Sequence, residues 1–93
     1  MAVIKKIPVS ETRSQYLYMC PGCGYDHAFA IKEEGGNHIW NWDFEKPTIS
    51  PSLLQNWTPG KTCHSFIRNG MIQYLSDCDH HLKGQTIPLP NIY

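Results

Sequence analysis

The segment Cys20-Pro21-Gly22-Cys23-Gly24 carries the strongest chemical signal in the chain. Two cysteines three positions apart, with glycine between and after them, form a tight turn. Its backbone amides face the sulfurs and stabilise thiolate charge, and both sulfurs can meet one tetrahedral ion. One knuckle supplies two ligands, so the rest must come from elsewhere. Cys63 and Cys78 are the other two cysteines.

A turn without cysteines aligns this second pair. Arg68-Asn69-Gly70-Met71 places Asn-Gly between two apolar-rich runs, and Asn-Gly suits a two-residue hairpin loop in which both residues have positive φ. In that register Arg68 faces Met71, Ile67 faces Ile72, Ser65 faces Tyr74 and Cys63 faces Ser76. Alternation puts Cys63, Ser65 and Ile67 on one face. Cys78 shares the parity of Ser76, diagonal to Cys63 and about 7–8 Å from it at the backbone. A slip of one residue would send Cys78 to the opposite face.

Histidines widen the ligand set. His27 extends the knuckle to C-x-x-C-x-x-x-H, His80 shares the parity of Cys78, and His64 adjoins Cys63 but turns to the other face. The residues therefore predict Zn2+ held by Cys20, Cys23, Cys63 and Cys78, with His64, His80 and His27 as alternative ligands; two separate sites also remain open. A thioredoxin-like redox pair needs a motif that opens a helix, whereas glycine follows Cys23 here. Cys63 and Cys78 as plain buried apolar residues are the bland alternative.

The elements that must position these residues read as strands at 3–9, 15–20, 27–32, 38–43, 52–57, 62–68 and 71–76, since apolar runs are short and aromatic and β-branched residues frequent. Gly35-Gly36 marks a turn between the third and fourth. Pro47 and Pro51 predict an extended loop over Pro47–Ser52, because prolines this close exclude a helix and a central strand. The tail 85–91 reads as extended along the domain surface, and a helix of one or two turns fits 77–83. Trp40 and Trp42, two apart, share a strand face; these and Trp57 suit a small core. The fold class is all-β or β-rich α+β: a small antiparallel sheet with a zinc-ribbon-like site joining the knuckle to the 62–76 hairpin.

Ninety-three residues make one domain, 1–93, with a modest core that a metal would staple. Eight basic residues balance eight acidic ones, which argues against phosphate-driven nucleic-acid binding. The N-terminus lacks the apolar run of a signal peptide, and no window has the length of a membrane span. A reducing cytoplasm is the expected compartment, and there a C-x-x-C pair reads as metal-binding before disulfide-forming.

Cys20-Pro-Gly-Cys-Gly, His27, Pro47-Thr-Ile-Ser-Pro-Ser-Leu53, Cys63-His-Ser-Phe-Ile-Arg-Asn-Gly70, Leu75-Ser-Asp-Cys-Asp-His80 and Gly84-Gln-Thr-Ile-Pro-Leu-Pro90 together resemble a family of small proteins encoded mostly in bacteriophages and prophages. Some of its members carry an ammonia monooxygenase label. That label does not suit a chain without a membrane span. Related domains occur beside bacterial ubiquitin-like conjugation genes, but this sequence resembles the compact phage form. The resemblance implies a metal-binding domain with ligands among Cys20, Cys23, Cys63, His64, Cys78 and His80. It raises the standing of His64, because a histidine near this cysteine occurs in more distant relatives.

The leading expectation is a phage-type accessory protein with a structural metal, binding a host or phage protein through a sheet face. No residue is assigned a catalytic role, since the H-E-x-x-H and H-x-E…P-C-x-x-C signatures are absent. The alternative is a metal-dependent hydrolase or nucleotide-modifying enzyme with an open zinc position, suggested by His64, Ser65, Asp77, Asp79, His80 and the Thr48-Ser50-Ser52 segment. A nucleic-acid-binding zinc ribbon is the weaker alternative. Exposed sheet edges leave a homodimer open.

Overall fold

The computed structural model describes residues 2–56 and 62–92. Trp57 lies outside the described residues. The chain forms two antiparallel sheets. The first has β1 (Ile4–Pro8), β2 (Ser14–Cys20) and β3 (Tyr25–Phe29) in order β1-β2-β3. The second has β4 (Ile39–Trp40), β5 (Ile49–Asn56), β6 (Thr62–Arg68), β7 (Met71–Tyr74) and β8 (Thr86–Pro88) in order β4-β5-β6-β7-β8. The β-rich fold expected from the sequence is present. Among the described residues the helical element is a 3-10 turn at Lys32–Glu34.

One apolar core runs between the sheets. Tyr16 and Tyr18 of β2 and Phe29 of β3 meet Trp40, Ile49, Leu53, Ile67, Ile72 and Tyr74 of the larger sheet, all buried. The alternation in β6 explains how: Cys63, Ser65 and Ile67 are buried, while Thr62, His64 and Phe66, which alternate with them, are only half-buried. β2, β3 and β6 thus each turn one face to the core.

The Asn-Gly hairpin has the expected register, with Ser65 opposite Tyr74, Ile67 opposite Ile72 and Arg68 opposite Met71. Asn69 and Gly70 both have positive φ, 52° and 79°. Pairing ends earlier than the sequence suggested. Leu75 still donates from its N–H to the His64 carbonyl at 2.9 Å, but Cys78 then donates to the Leu75 carbonyl at 3.2 Å, and the chain turns away before Ser76 can face Cys63.

Three further expectations need correction. Pro47–Ser52 is not wholly a loop, because β5 begins at Ile49 and lies inside the sheet between β4 and β6. Proline is tolerated there because the register shifts between Ile49 and Leu53, which pair with Ile67 and Ser65. β5 takes four steps where β6 takes two, so Pro51 sits in an irregular stretch where no ladder donor is needed. The 38–43 strand shrinks to Ile39–Trp40, since Trp42 has a φ of 62°. Its ring still packs on that of Trp40 at 4.8 Å, but Trp42 is 46% exposed, whereas Trp40 is buried. The 77–83 segment is a succession of turns rather than a helix. The tail contributes β8, paired with β7.

Candidate functional site

The knuckle is the turn between β2 and β3. Gly24 donates to the Cys20 carbonyl at 2.8 Å and has a φ of 81°, a conformation that glycine adopts without a steric penalty. Cys20 ends β2 on its buried face. Tyr18 pairs with His27 two residues back along the ladder, so His27 enters the core beside Cys20. From the other sheet, β6 alternation delivers Cys63 to the same point. Cys20 Sγ and Cys63 Sγ are 3.7 Å apart. Tetrahedral ligands at a Zn–S bond of about 2.3 Å have sulfurs separated by about 3.8 Å, so this spacing is that of two ligands on one ion.

Cys20, Cys23, His27 and Cys63 have ligand atoms all within 4.8 Å of one another and form a candidate metal-binding cluster. Cys63, Cys78 and His80 form a second group that shares Cys63. The predicted ligands thus converge, but Cys78 does not join the knuckle group. Its sulfur engages the backbone of His64, accepting from the N–H at 3.1 Å and donating to the carbonyl at 3.0 Å. His80 Nε2 lies 3.5 Å from Cys63 Sγ, and its ring packs edge-on against Tyr74.

The electrostatics of the cluster are those of crowded thiols. A hydrogen bond from Cys63 holds Cys20 down to about 3, aided by His27 and by the Tyr74 hydroxyl at 3.1 Å. Burial and the Cys20 charge push Cys23 up to about 11. Cys63 is raised further, because it serves as the donor to Cys20 and is buried beside it. One negative charge is thus accommodated and further thiolates are opposed, a balance that a divalent cation would invert. Burial also raises Tyr18 and Tyr74, which stay neutral. Tyr74 ties the two halves together by accepting from Gly22 N–H at 3.2 Å while donating to Cys20.

His64 lies on the other face and does something different. Its Nδ1 is 2.9 Å from Asp77 Oδ2, and its Nε2 is 2.9 Å from Ser52 Oγ. The carboxylate only accepts, so Nδ1 carries the proton and donates; Nε2 then accepts from the Ser52 hydroxyl. Both ring nitrogens are engaged, and among the described residues His64, expected as an alternative ligand, is in neither candidate metal-binding group. The placement follows from pairing. Leu54 faces His64 across β5 and β6, and Ser52 shares Leu54's parity, so Ser52 is the diagonal neighbour of His64. Asp77 reaches His64 from the turn after β7. The arrangement is a serine–histidine–aspartate constellation, half open to water: the His64 side chain is 24% exposed and Asp77 56%.

Sequence reading named Ser52, His64 and Asp77 among the polar residues of a hydrolase alternative but did not join them as a serine–histidine–aspartate site. No G-x-S-x-G turn surrounds it, and the segment was expected to be a loop. The only signal was the density of polar residues near His64, and strand pairing is needed to select among them.

No curated protein and no solved structure matches the chain. No helix among the described residues is long and apolar enough to cross a membrane. The family model that does match covers residues 3–75 and is described as BubE, a bacterial ubiquitination-like system serine protease. It takes in the knuckle, β5, His64 and the hairpin, and it agrees with the ubiquitin-like branch of the resemblance. On this match, over most of its length, the chain belongs to the BubE family.

Proposed function

We propose that the protein is a serine-type peptidase in which Ser52 is the nucleophile, His64 the general base and acid, and Asp77 the residue that fixes and stabilises the imidazole. The observation that carries this reading is the pair of 2.9 Å contacts made by the two nitrogens of His64. The description of the family as a serine protease of a ubiquitination-like system agrees with it.

The chemistry follows from the geometry. Ser52 Oγ attacks a carbonyl carbon as its proton passes to His64 Nε2, and the Asp77 carboxylate stabilises the imidazolium that results. Collapse of the tetrahedral adduct breaks the C–N bond, and Nε2 returns its proton to the departing amine. Water then attacks the acyl-serine by the same exchange and restores Ser52.

The cysteine-rich cluster holds zinc in this proposal, through Cys20, Cys23, Cys63 and a histidine, with His27 the one inside the group. Three soft sulfurs and one imidazole brought within 4.8 Å of one another would suit Zn2+. Four protein ligands would leave no position for substrate, so such an ion would be structural and would join the two sheets. Neither the open-zinc hydrolase nor the non-enzymatic accessory role gains a specific observation in its favour.

The test is reaction with a fluorophosphonate probe. Wild-type protein is expected to be labelled at Ser52, with labelling abolished by Ser52→Ala and strongly slowed by His64→Ala. Absence of labelling in folded, zinc-loaded wild-type protein would defeat the reading.

A further inference from the structure

Cys78 is the cysteine that the knuckle cluster leaves out, and its surroundings are not those of a free ligand. It is buried, and it follows Asp77 directly in sequence. Its sulfur makes two contacts with one residue: His64 N–H donates to it at 3.1 Å, and it donates to the His64 carbonyl at 3.0 Å. That carbonyl also accepts from Leu75 N–H at 2.9 Å. On the far side of Cys78, Asp79 N–H donates to the Thr62 carbonyl at 2.9 Å, and the Asp79 carboxylate accepts from Thr62 N–H at 2.6 Å. The turn 75–79 is therefore stitched to β6 on both sides of His64, with the Cys78 sulfur as the central stitch where regular strand pairing has ended.

We propose that Cys78 is a positioning residue for the Ser52–His64–Asp77 constellation: as a thiol it grips the backbone of His64 from the buried side and holds the neighbouring Asp77 against Nδ1. The inference rests on the peptidase reading given above. A thiol is required because the carbonyl contact needs a donor. A metal-bound sulfur would keep the N–H bond but place an acceptor 3.0 Å from another acceptor. Cys78 is thus distinguished from Cys63, which stands within 4.8 Å of it and faces the knuckle. His64 and Asp77 are each adjacent in sequence to a cysteine. Cys63 fixes its strand through the metal cluster, and Cys78 fixes its turn through that strand.

The experiment compares Cys78→Ala and Cys78→Ser with wild-type protein by three measurements: zinc per chain, the rate of fluorophosphonate labelling at Ser52, and the downfield proton NMR resonance of His64 Nδ1–H bonded to Asp77. Both variants are expected to retain wild-type zinc. Cys78→Ala should lose or broaden the resonance and react about 10–100-fold more slowly, since misplacement of a catalytic group by about 1 Å costs up to roughly that factor. Cys78→Ser, whose hydroxyl also donates and accepts, should recover both. Loss of zinc in either variant would make Cys78 a ligand and overturn the proposal, as would an unchanged resonance and rate in Cys78→Ala. If Cys78→Ala fails to fold, Cys78→Ser decides: retention of zinc and resonance supports the role, and loss of either overturns it. The resonance and zinc content need no enzymatic activity. A wild type that resists labelling while its resonance depends on Cys78 would refute the peptidase reading and uphold the positioning role.

Discussion

Cys63 and His64 are neighbours in β6 whose side chains serve opposite faces of one sheet. Cys63 Sγ lies 3.7 Å from Cys20 Sγ in the core, while His64 Nε2 lies 2.9 Å from Ser52 Oγ on the solvent side. A single peptide unit thus links the candidate metal-binding cluster to the Ser52–His64–Asp77 constellation. Anything that shifts β6 along its axis moves both.

Replacing Asp77 tests the division of labour in the triad. Asp77→Asn is expected to lower the hydrolytic rate by about 10²–10⁴-fold with little change in KM, because the amide can no longer hold Nδ1 as a donor. The loss should fall toward the lower end of that range, since Asp77 is 56% exposed and water partly substitutes for it. Steady-state kinetics on a peptide or acyl substrate reads the effect. A variant within twofold of wild type would remove Asp77 from the mechanism.

Removal of the metal should weaken the whole fold. The cluster joins the two sheets through the core, and a chain of 93 residues has limited apolar area with which to compensate. Chelation, or Cys20→Ser or Cys63→Ser, is expected to lower the melting temperature and slow Ser52 labelling together. Elemental analysis should give about one zinc per chain in wild-type protein. A metal-free protein with an unchanged melting curve would contradict this.

The thiol protonation pattern predicts how zinc affinity depends on pH. In the metal-free protein Cys20 is held down to about 3 and is already ionised near neutrality, whereas Cys23, at about 11, and Cys63, raised by its donor role, still hold protons. Binding must displace those two protons, so affinity should rise with pH by about 100-fold per unit, tenfold for each proton released. The opposite sign applies to the metal-free fold. Cys23 keeps its proton above the ordinary value of 9.0, so stability should decline as pH rises from about 9 to about 11. Competition titrations with a chromophoric chelator at three pH values, and melting curves of the metal-free protein, check the two slopes.

Gly22 gives a local test of the knuckle. A Cβ at this position would run into the His80 ring, which is itself packed against Tyr74 and close to Cys63. Gly22→Ala is expected to cost about 1–3 kcal/mol, the usual range for overpacking a tight site, with zinc stoichiometry retained. Denaturant unfolding measures it. A neutral substitution would show that His80 is free to swing away.

What the sequence determined by itself was the part of the structure encoded locally. Cys20-Pro-Gly-Cys-Gly specifies a thiolate knuckle because its geometry is set within five residues. Asn69-Gly70 specifies a hairpin register because the turn fixes which residues face each other, so Ser65 opposite Tyr74 and the inward direction of Cys63 were legible before any coordinates. What the tertiary structure decided was everything that depends on β5. Two prolines near Ser50 argued for a loop, yet a register shift lets Pro51 lie within the sheet and delivers Ser52 to His64. The end of β7 at Tyr74, two pairs short of Cys63, likewise turned Cys78 onto the backbone of His64 instead of into the knuckle. Non-local strand pairing sets these contacts, and its register and bulges depend on how two distant segments pack together rather than on the residue pattern of either one.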